Sequence, residues 1–150
     1  MPTDVEKIKH LRESTGLSFG EIKKALDEAG GDQTKAIELL KAHGVRMADK
    51  KSSRAVGEGV VASYVHATKK LGSMVELLCE TDFVARNSDF QELAREIAMH
   101  IAAMKPGDIA GLLEQPYVKE PDITIKELIN RHIAKLGENI QIGRFEIFEI

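Results

Sequence analysis

Cysteine is nearly absent from the chain. Its 150 residues include only Cys79, so no disulfide can close within it. Without a cysteine cluster, a thiolate zinc site has no basis. Excess charge is missing too. Lys and Arg number 21 against 24 Asp and Glu, a formal net charge of −3. A general nucleic-acid binder would normally carry a strong basic excess. No apolar run approaches the ~20 residues that span a bilayer. The start, Met1-Pro2-Thr3-Asp4-Val5-Glu6, lacks both the apolar core of a signal peptide and the Arg/Ser bias of a transit peptide. A cytoplasmic protein with no membrane partner is expected.

Motifs that carry bond chemistry are also missing. Gly57-Glu58-Gly59 is too short for a phosphate-binding G-x-G-x-x-G loop and precedes a strand pattern. His10, His43, His66, His100 and His132 fit no metal spacing such as H-E-x-x-H, which leaves them surface or packing roles. Cys79 lies in an apolar run with no neighbouring base and reads as an inert strand thiol. Glu76, Glu80 and Asp82 fall at alternate positions, as the solvated side of a strand does. Acid–base work would need one of their pKa values raised, and nothing in the sequence does this. Neither an enzyme activity nor a cofactor nor a metal is expected.

What is present is enough for a folded core: 43% of residues are hydrophobic and 30% charged. Residues 1–45 read as three short helices. Val5, Ile8, Leu11 and Thr15 share one face of the first, which Thr15-Gly16 ends. Ser18-Phe19-Gly20-Glu21 has the spacing of a capping box, and Ile22, Ala25, Leu26 and Ala29 follow as a buried stripe. Gly30-Gly31 ends that helix. Asp32 caps a third, with Ala36, Ile37 and Leu40 inward and Gly44 as its stop. Residues 46–58 are polar and locally basic and read as a linker. An RNA contact through Lys50 to Arg54 is the alternative.

From Gly59 the apolar period changes to two. Strands are expected over Gly59 to Ala67 and Val75 to Val84, joined by a hairpin loop at Thr68 to Gly72. A helix follows, capped by Asn87 or Ser88. Phe90, Leu93, Ala94, Ile97, Ala98 and Ile101 face inward, and Lys105-Pro106-Gly107 ends it. An irregular stretch contains Pro116 and Pro121, with an edge strand at Tyr117-Val118. Thr124-Ile125-Lys126-Glu127 opens a last helix with Ile125, Leu128, Ile129, Ile133 and Leu136 inside, stopped by Gly137. A strand from Asn139 to Glu149 closes the chain, with its alternation slipping at Gly143 as in a bulge. The order implies an α+β domain over 59–150, with helices on one face of a mainly antiparallel sheet.

The segment Glu80-Thr81-Asp82-Phe83-Val84-Ala85-Arg86-Asn87 lies where a strand gives way to a helix. Residue chemistry favours Phe83 as core and Asp82 as turn chemistry. An aromatic exposed beside an acid at a tight corner would instead be a wedge for a partner protein. The segment closely resembles the T-D-F-V-A-[KR]-N signature of elongation factor Ts. Further similar stretches are Ile8 to Gly16, Lys23 to Leu26, Gly31-Asp32, Gly57 to Val60, Ile97 to Ala103 and Lys135 to Ile140.

The resemblance implies a ubiquitin-associated-like module at the N-terminus. It also implies a guanine-nucleotide exchange factor for elongation factor Tu. In that family the position of Asp82-Phe83 enters Tu near the nucleotide and disturbs its magnesium. Thr81, Asp82, Phe83 and Val84 are therefore the expected wedge. Lys9, Arg12, Phe19, His100, Leu136 and Gly137 match further Tu-contacting positions. Phe19-Gly20 departs from the Met-Met pair of some relatives, and Gly20 supplies no apolar contact there. Long family members carry two related core lobes and a helical hairpin. This chain has room for one lobe, which implies a compact form and a symmetric homodimer joined through sheet surfaces. Rival readings are a ubiquitin-binding adaptor, resting on the N-terminal module alone, an RNA-binding translation protein, and, most weakly, a hydrolase.

Overall fold

Caps set most of the element boundaries. The computed structural model describes residues 4–150. The expectation placed on Met1-Pro2-Thr3 lies outside the described residues. Helix α1 spans Asp4–Thr15 and gives way at Gly16, whose φ is +70°. Its buried side chains are Ile8 and Leu11, whereas Val5, expected inside, is 68% exposed. Helix α2 spans Phe19–Glu28 behind the expected Ser18/Glu21 capping box. Helix α3 begins after Asp32, whose carboxylate accepts the Lys35 amide at 3.1 Å. Together these helices enclose a small core of Ile8, Leu11, Leu17, Ile22, Ala25, Leu26, Ala36 and Leu40.

Gly44 does not stop α3, which runs over Gln33–Lys51. The first part of the segment expected to be a linker is thus helical. A glycine inside a helix costs only about 1 kcal/mol against alanine. Here Gly44 is buried against the Asn130 backbone, and Met47 and Ala48 beyond it pack on the main core. Tertiary contact overrides the local stop.

The sheet has three antiparallel strands in the order β1-β2-β5. These are β1 Glu58–Val65, β2 Leu71–Cys79 and β5 Gln141–Glu149. The hairpin turn falls two residues earlier than expected, over residues 66–70, because β1 ends at Val65 and not at Ala67. His66 N donates to Leu71 O at 2.8 Å, and Lys69 takes the positive φ, so Leu71 and Gly72 already belong to β2. Val75 pairs with Phe145 and Leu77 with Ile142, which leaves Gly143 and Arg144 opposite Glu76 alone. This is the expected bulge. A Cβ on Gly143 would sit 3.0 Å from Glu76. The outer face pairs Glu76 with Arg144 at 2.9 Å, and the guanidinium's hydrogen bonds hold the Glu76 carboxyl down to about 2.

Strand β2 stops at Cys79, not at Val84, and a one-turn helix α4, Asp82–Ala85, follows. Helix α5, Ser88–Met104, is capped by Asn87 and lays the whole expected stripe on the inner face of the sheet. The stretch expected to be irregular contains a short helix α6, Ile109–Glu114, capped by Asp108. It also holds a two-stranded ladder of β3 Pro116–Tyr117 and β4 Glu120–Thr124. Helix α7, Ile125–Leu136, has both halves of the Thr124/Glu127 box and ends at Gly137 with φ +78°. The α+β architecture expected from the sequence is the one observed. Among the described residues, no helix is long and apolar enough to cross a membrane.

Candidate functional site

The turn between β2 and α5 presents its aromatic residue to solvent. Phe83 is 86% exposed, while Val84 and Ala85 directly after it are 6% and 3% exposed. Successive helical residues are rotated by about 100°, so one turn can root two side chains in the core and direct a third away from it. Burial of Val84 and Ala85 therefore fixes the outward direction of Phe83. The core reading of Phe83 is thereby overturned.

Hydrogen bonds lock the backbone beneath it. Thr81 caps α4, its Oγ1 accepting the Val84 amide at 3.3 Å. The Thr81 hydroxyl donates to Glu138 Oε2 at 2.7 Å. Glu138 Oε1 accepts the amides of Glu80 and Thr81, both at 3.0 Å. In return, Glu80 Oε2 accepts the Asn139 amide at 2.7 Å. Neither Glu80 nor Asp82 lies within a strand, so the expected run of alternating carboxylates breaks up. Asp82 pairs with Arg86 at 2.8 Å with both side chains largely exposed. Such a pair is worth at most about 1 kcal/mol, so a partner can take the carboxylate at small cost. Cys79 is fully buried below the turn. Burial pushes its thiol up to about 11, reinforced by the charge of Glu138, and it remains protonated.

Leu136 and Gly137 flank this turn through the α7 terminus. Leu136 is half-buried against the main core, and the exposed Gly137 accepts Lys51 Nζ on its carbonyl at 2.6 Å. Lys9, Arg12 and Phe19 lie elsewhere, on the three-helix unit. All three are exposed and line an open groove with Val5 and Lys135. None of the residues lining that groove belongs to the turn at residues 81–84.

His100, read from the residues as a surface or packing side chain and matched by resemblance to a Tu-contacting position, takes a packing place. Its ring is fully buried. Nδ1 accepts the Val118 amide at 3.3 Å, which leaves the proton on Nε2, 3.0 Å from Gln115 Oε1. Burial lowers its pKa, opposed by the Gln115 hydrogen bond, so the ring is held neutral. It pins the β3 strand to α5 rather than facing a partner. Sequence reasoning missed Glu138 and Asn139. The signals were their place directly after the α7 stop and within the family-like stretch Lys135 to Ile140, and their partners in the turn lie 57 to 59 residues away.

A sequence model described as elongation factor TS matches residues 80–150. The elongation factor Ts of Carboxydothermus hydrogenoformans is 40% identical, covering 97% of this chain and 88% of the relative. That of Thermodesulfovibrio yellowstonii is 39% identical over 100% of this chain and 97% of the relative. For that of Synechococcus sp. the identity is 39%, over 99% of this chain and 69% of the relative. The first two matches run over 190 and 194 positions against a chain of 150, so these relatives carry residues with no counterpart here. Identity of this level across nearly the whole length leaves one conclusion: the chain belongs to the elongation factor Ts family.

Proposed function

We propose that the protein acts in translation elongation as a guanine-nucleotide exchange factor for elongation factor Tu, using Asp82-Phe83 as a wedge at the magnesium side of the nucleotide pocket. The observation that carries this reading is the 86% exposure of Phe83 on a turn whose next two residues, Val84 and Ala85, are buried. A free aromatic side chain on a fixed backbone is the kind of anchor that dominates protein interfaces. It is already oriented, so little ordering cost attends its insertion.

The energetics follow from linkage. Mg²⁺ demands near-ideal octahedral geometry, so a small shift of its supporting shell weakens the hold on GDP. Binding the nucleotide-free form of Tu more tightly than the GDP form lowers GDP affinity by the same factor. No bond is made or broken by this chain. Thr81 and Val84 serve the wedge from below, one as cap and one as root. Leu136 and Gly137 extend the contact beside it. Lys9, Arg12 and Phe19 form a second contact on the ubiquitin-associated-like three-helix module, residues 1–45. His100 contributes only from inside, by holding the β3 region.

The proposal extends to a homodimer of the core over residues 59–150. The outer sheet face carries Val61, Val65, Met74 and Phe148, which are 63%, 60%, 49% and 69% exposed. A second copy packed on that face would cover this patch and supply a second lobe. The exchange reading is tested by release of a fluorescent GDP analogue from Tu. Wild-type protein accelerates release, and Asp82→Ala and Phe83→Ala each lose most of the acceleration while keeping the wild-type circular dichroism. Acceleration equal to wild type in both variants overturns it.

A further inference from the structure

A four-residue helix cannot hold a wedge by itself. Nucleating one helical turn fixes several dihedrals for a single hydrogen bond and is unfavourable in isolation. Helix α4 must therefore be held from outside. Burial of Val84 and Ala85 supplies one restraint, and the other is a carboxylate 55 residues beyond Phe83. We propose that Glu138 is a positioning residue for exchange, clamping the Thr81 cap so that Asp82-Phe83 is presented in one orientation. The proposal rests on the reading of Asp82-Phe83 as the wedge.

The hydrogen bonds form a directed chain. The Val84 amide donates to Thr81 Oγ1, and the Thr81 hydroxyl donates onward to Glu138 Oε2. The carboxylate thus fixes the rotor that the cap depends on. Its other oxygen accepts two consecutive amides, Glu80 and Thr81, just past the end of β2. Bonds to an ionised acceptor are roughly twice as strong as neutral ones.

Glu138 is itself anchored from both sides. Gly137 before it is the α7 cap and receives Lys51. Asn139 after it donates its amide to Glu80 and its side-chain amide to Arg54 O at 2.9 Å. Glu138 therefore holds the Glu80 backbone, and Glu80 holds the backbone of Asn139, the residue after Glu138. The clasp ties the end of α3, the end of α7 and the wedge turn into one assembly. Phe83 takes no part in it.

Glu138→Ala and Glu138→Gln are made in the full chain, each alone and with Phe83→Ala. Gln keeps an acceptor for the two amides and can donate to Thr81 Oγ1. In Glu138→Ala, Val84 amide hydrogen exchange in the free protein should speed at least about tenfold, and accelerated GDP release from Tu should fall about tenfold. Glu138→Gln should stay within about threefold of wild type in both. In the Phe83→Ala background, Glu138→Ala should cost nothing further in GDP release, because a residue acting only through the wedge is not additive with its loss.

An unchanged Val84 amide overturns the proposal, and so does an equal loss of release in both backgrounds. If Phe83→Ala alone leaves release at the wild-type rate, the wedge reading fails. The Val84 amide then decides by itself whether Glu138 holds the turn.

Discussion

Phe83→Ala separates an interface residue from a core residue with little ambiguity. Phe83 is 86% exposed, so about a seventh of it leaves water on folding. Fully burying such a side chain is worth about 1.5–3 kcal/mol. A seventh of that is about 0.3 kcal/mol, within the scatter of ordinary surface substitutions. Thermal unfolding should therefore be nearly unchanged. Phe90, seven positions later and fully buried, is the internal contrast. Its replacement by Ala should cost about 3–5 kcal/mol and lower the melting temperature sharply. Function should order the two differently. A central aromatic anchor typically contributes 2 kcal/mol or more to an interface. That corresponds to roughly a 30-fold loss of exchange activity for Phe83→Ala. Stopped-flow release of a fluorescent GDP analogue from Tu measures it, alongside a melt of each variant. A Phe83→Ala protein that exchanges normally, or one that unfolds like Phe90→Ala, refutes the reasoning.

Further outcomes follow from the same geometry. Gly59→Ala should destabilise by more than about 2 kcal/mol, read as the urea midpoint, because its Cβ would fall 2.2 Å from the Leu77 carbonyl oxygen; a wild-type midpoint contradicts the β1–β2 register. His100 and His132 both have pKa values lowered from 6.5, chiefly by burial. Stability is then fully present above the unfolded value and is lost as pH falls toward the folded one, by up to about 1.4 kcal/mol per pH unit for each ring; urea unfolding that is flat between about pH 7.5 and 5.5 would contradict this. Met74→Glu with Phe148→Glu should convert a dimer to a monomer by light scattering, since a stable interface buries about 1,200–2,000 Å² and tolerates few charges at its centre. A wild-type monomer at working concentration sinks the dimer proposal.

Local chemistry made the helix caps legible in the sequence. Ser18/Glu21, Asp32, Asn87 and Thr124/Glu127 each carry their partner within three residues, so their spacing alone predicts them. The buried stripes of α5 and α7 were equally plain, because helical period and burial coincide. The Gly143 bulge was visible as a slip in alternation. Readings failed where distant residues decide. Gly44 looks like a stop until the Asn130 backbone is placed against it. Val84 looks like the end of an apolar strand until Thr81 caps a helix turn over it. Helix α6 has few residues to carry a period, and the local signals around Pro116 and Pro121 point to irregular chain. Within the candidate site, the identity of Thr81 to Val84 came through family resemblance and the direction of Phe83 only through structure. The burial of His100 was hidden for a similar reason: its partners, Gln115 and Val118, lie in the chain on either side of β3, 15 and 18 residues away.

The account turns on whether the wedge acts through magnesium. The most direct test is the rate of fluorescent GDP release from Tu with and without saturating wild-type protein, in millimolar Mg²⁺ and again in excess EDTA. A large acceleration in Mg²⁺ that nearly vanishes in EDTA is expected, because chelation already removes the ion that Asp82-Phe83 would disturb. The same fold acceleration in both conditions, or none in either, would contradict it.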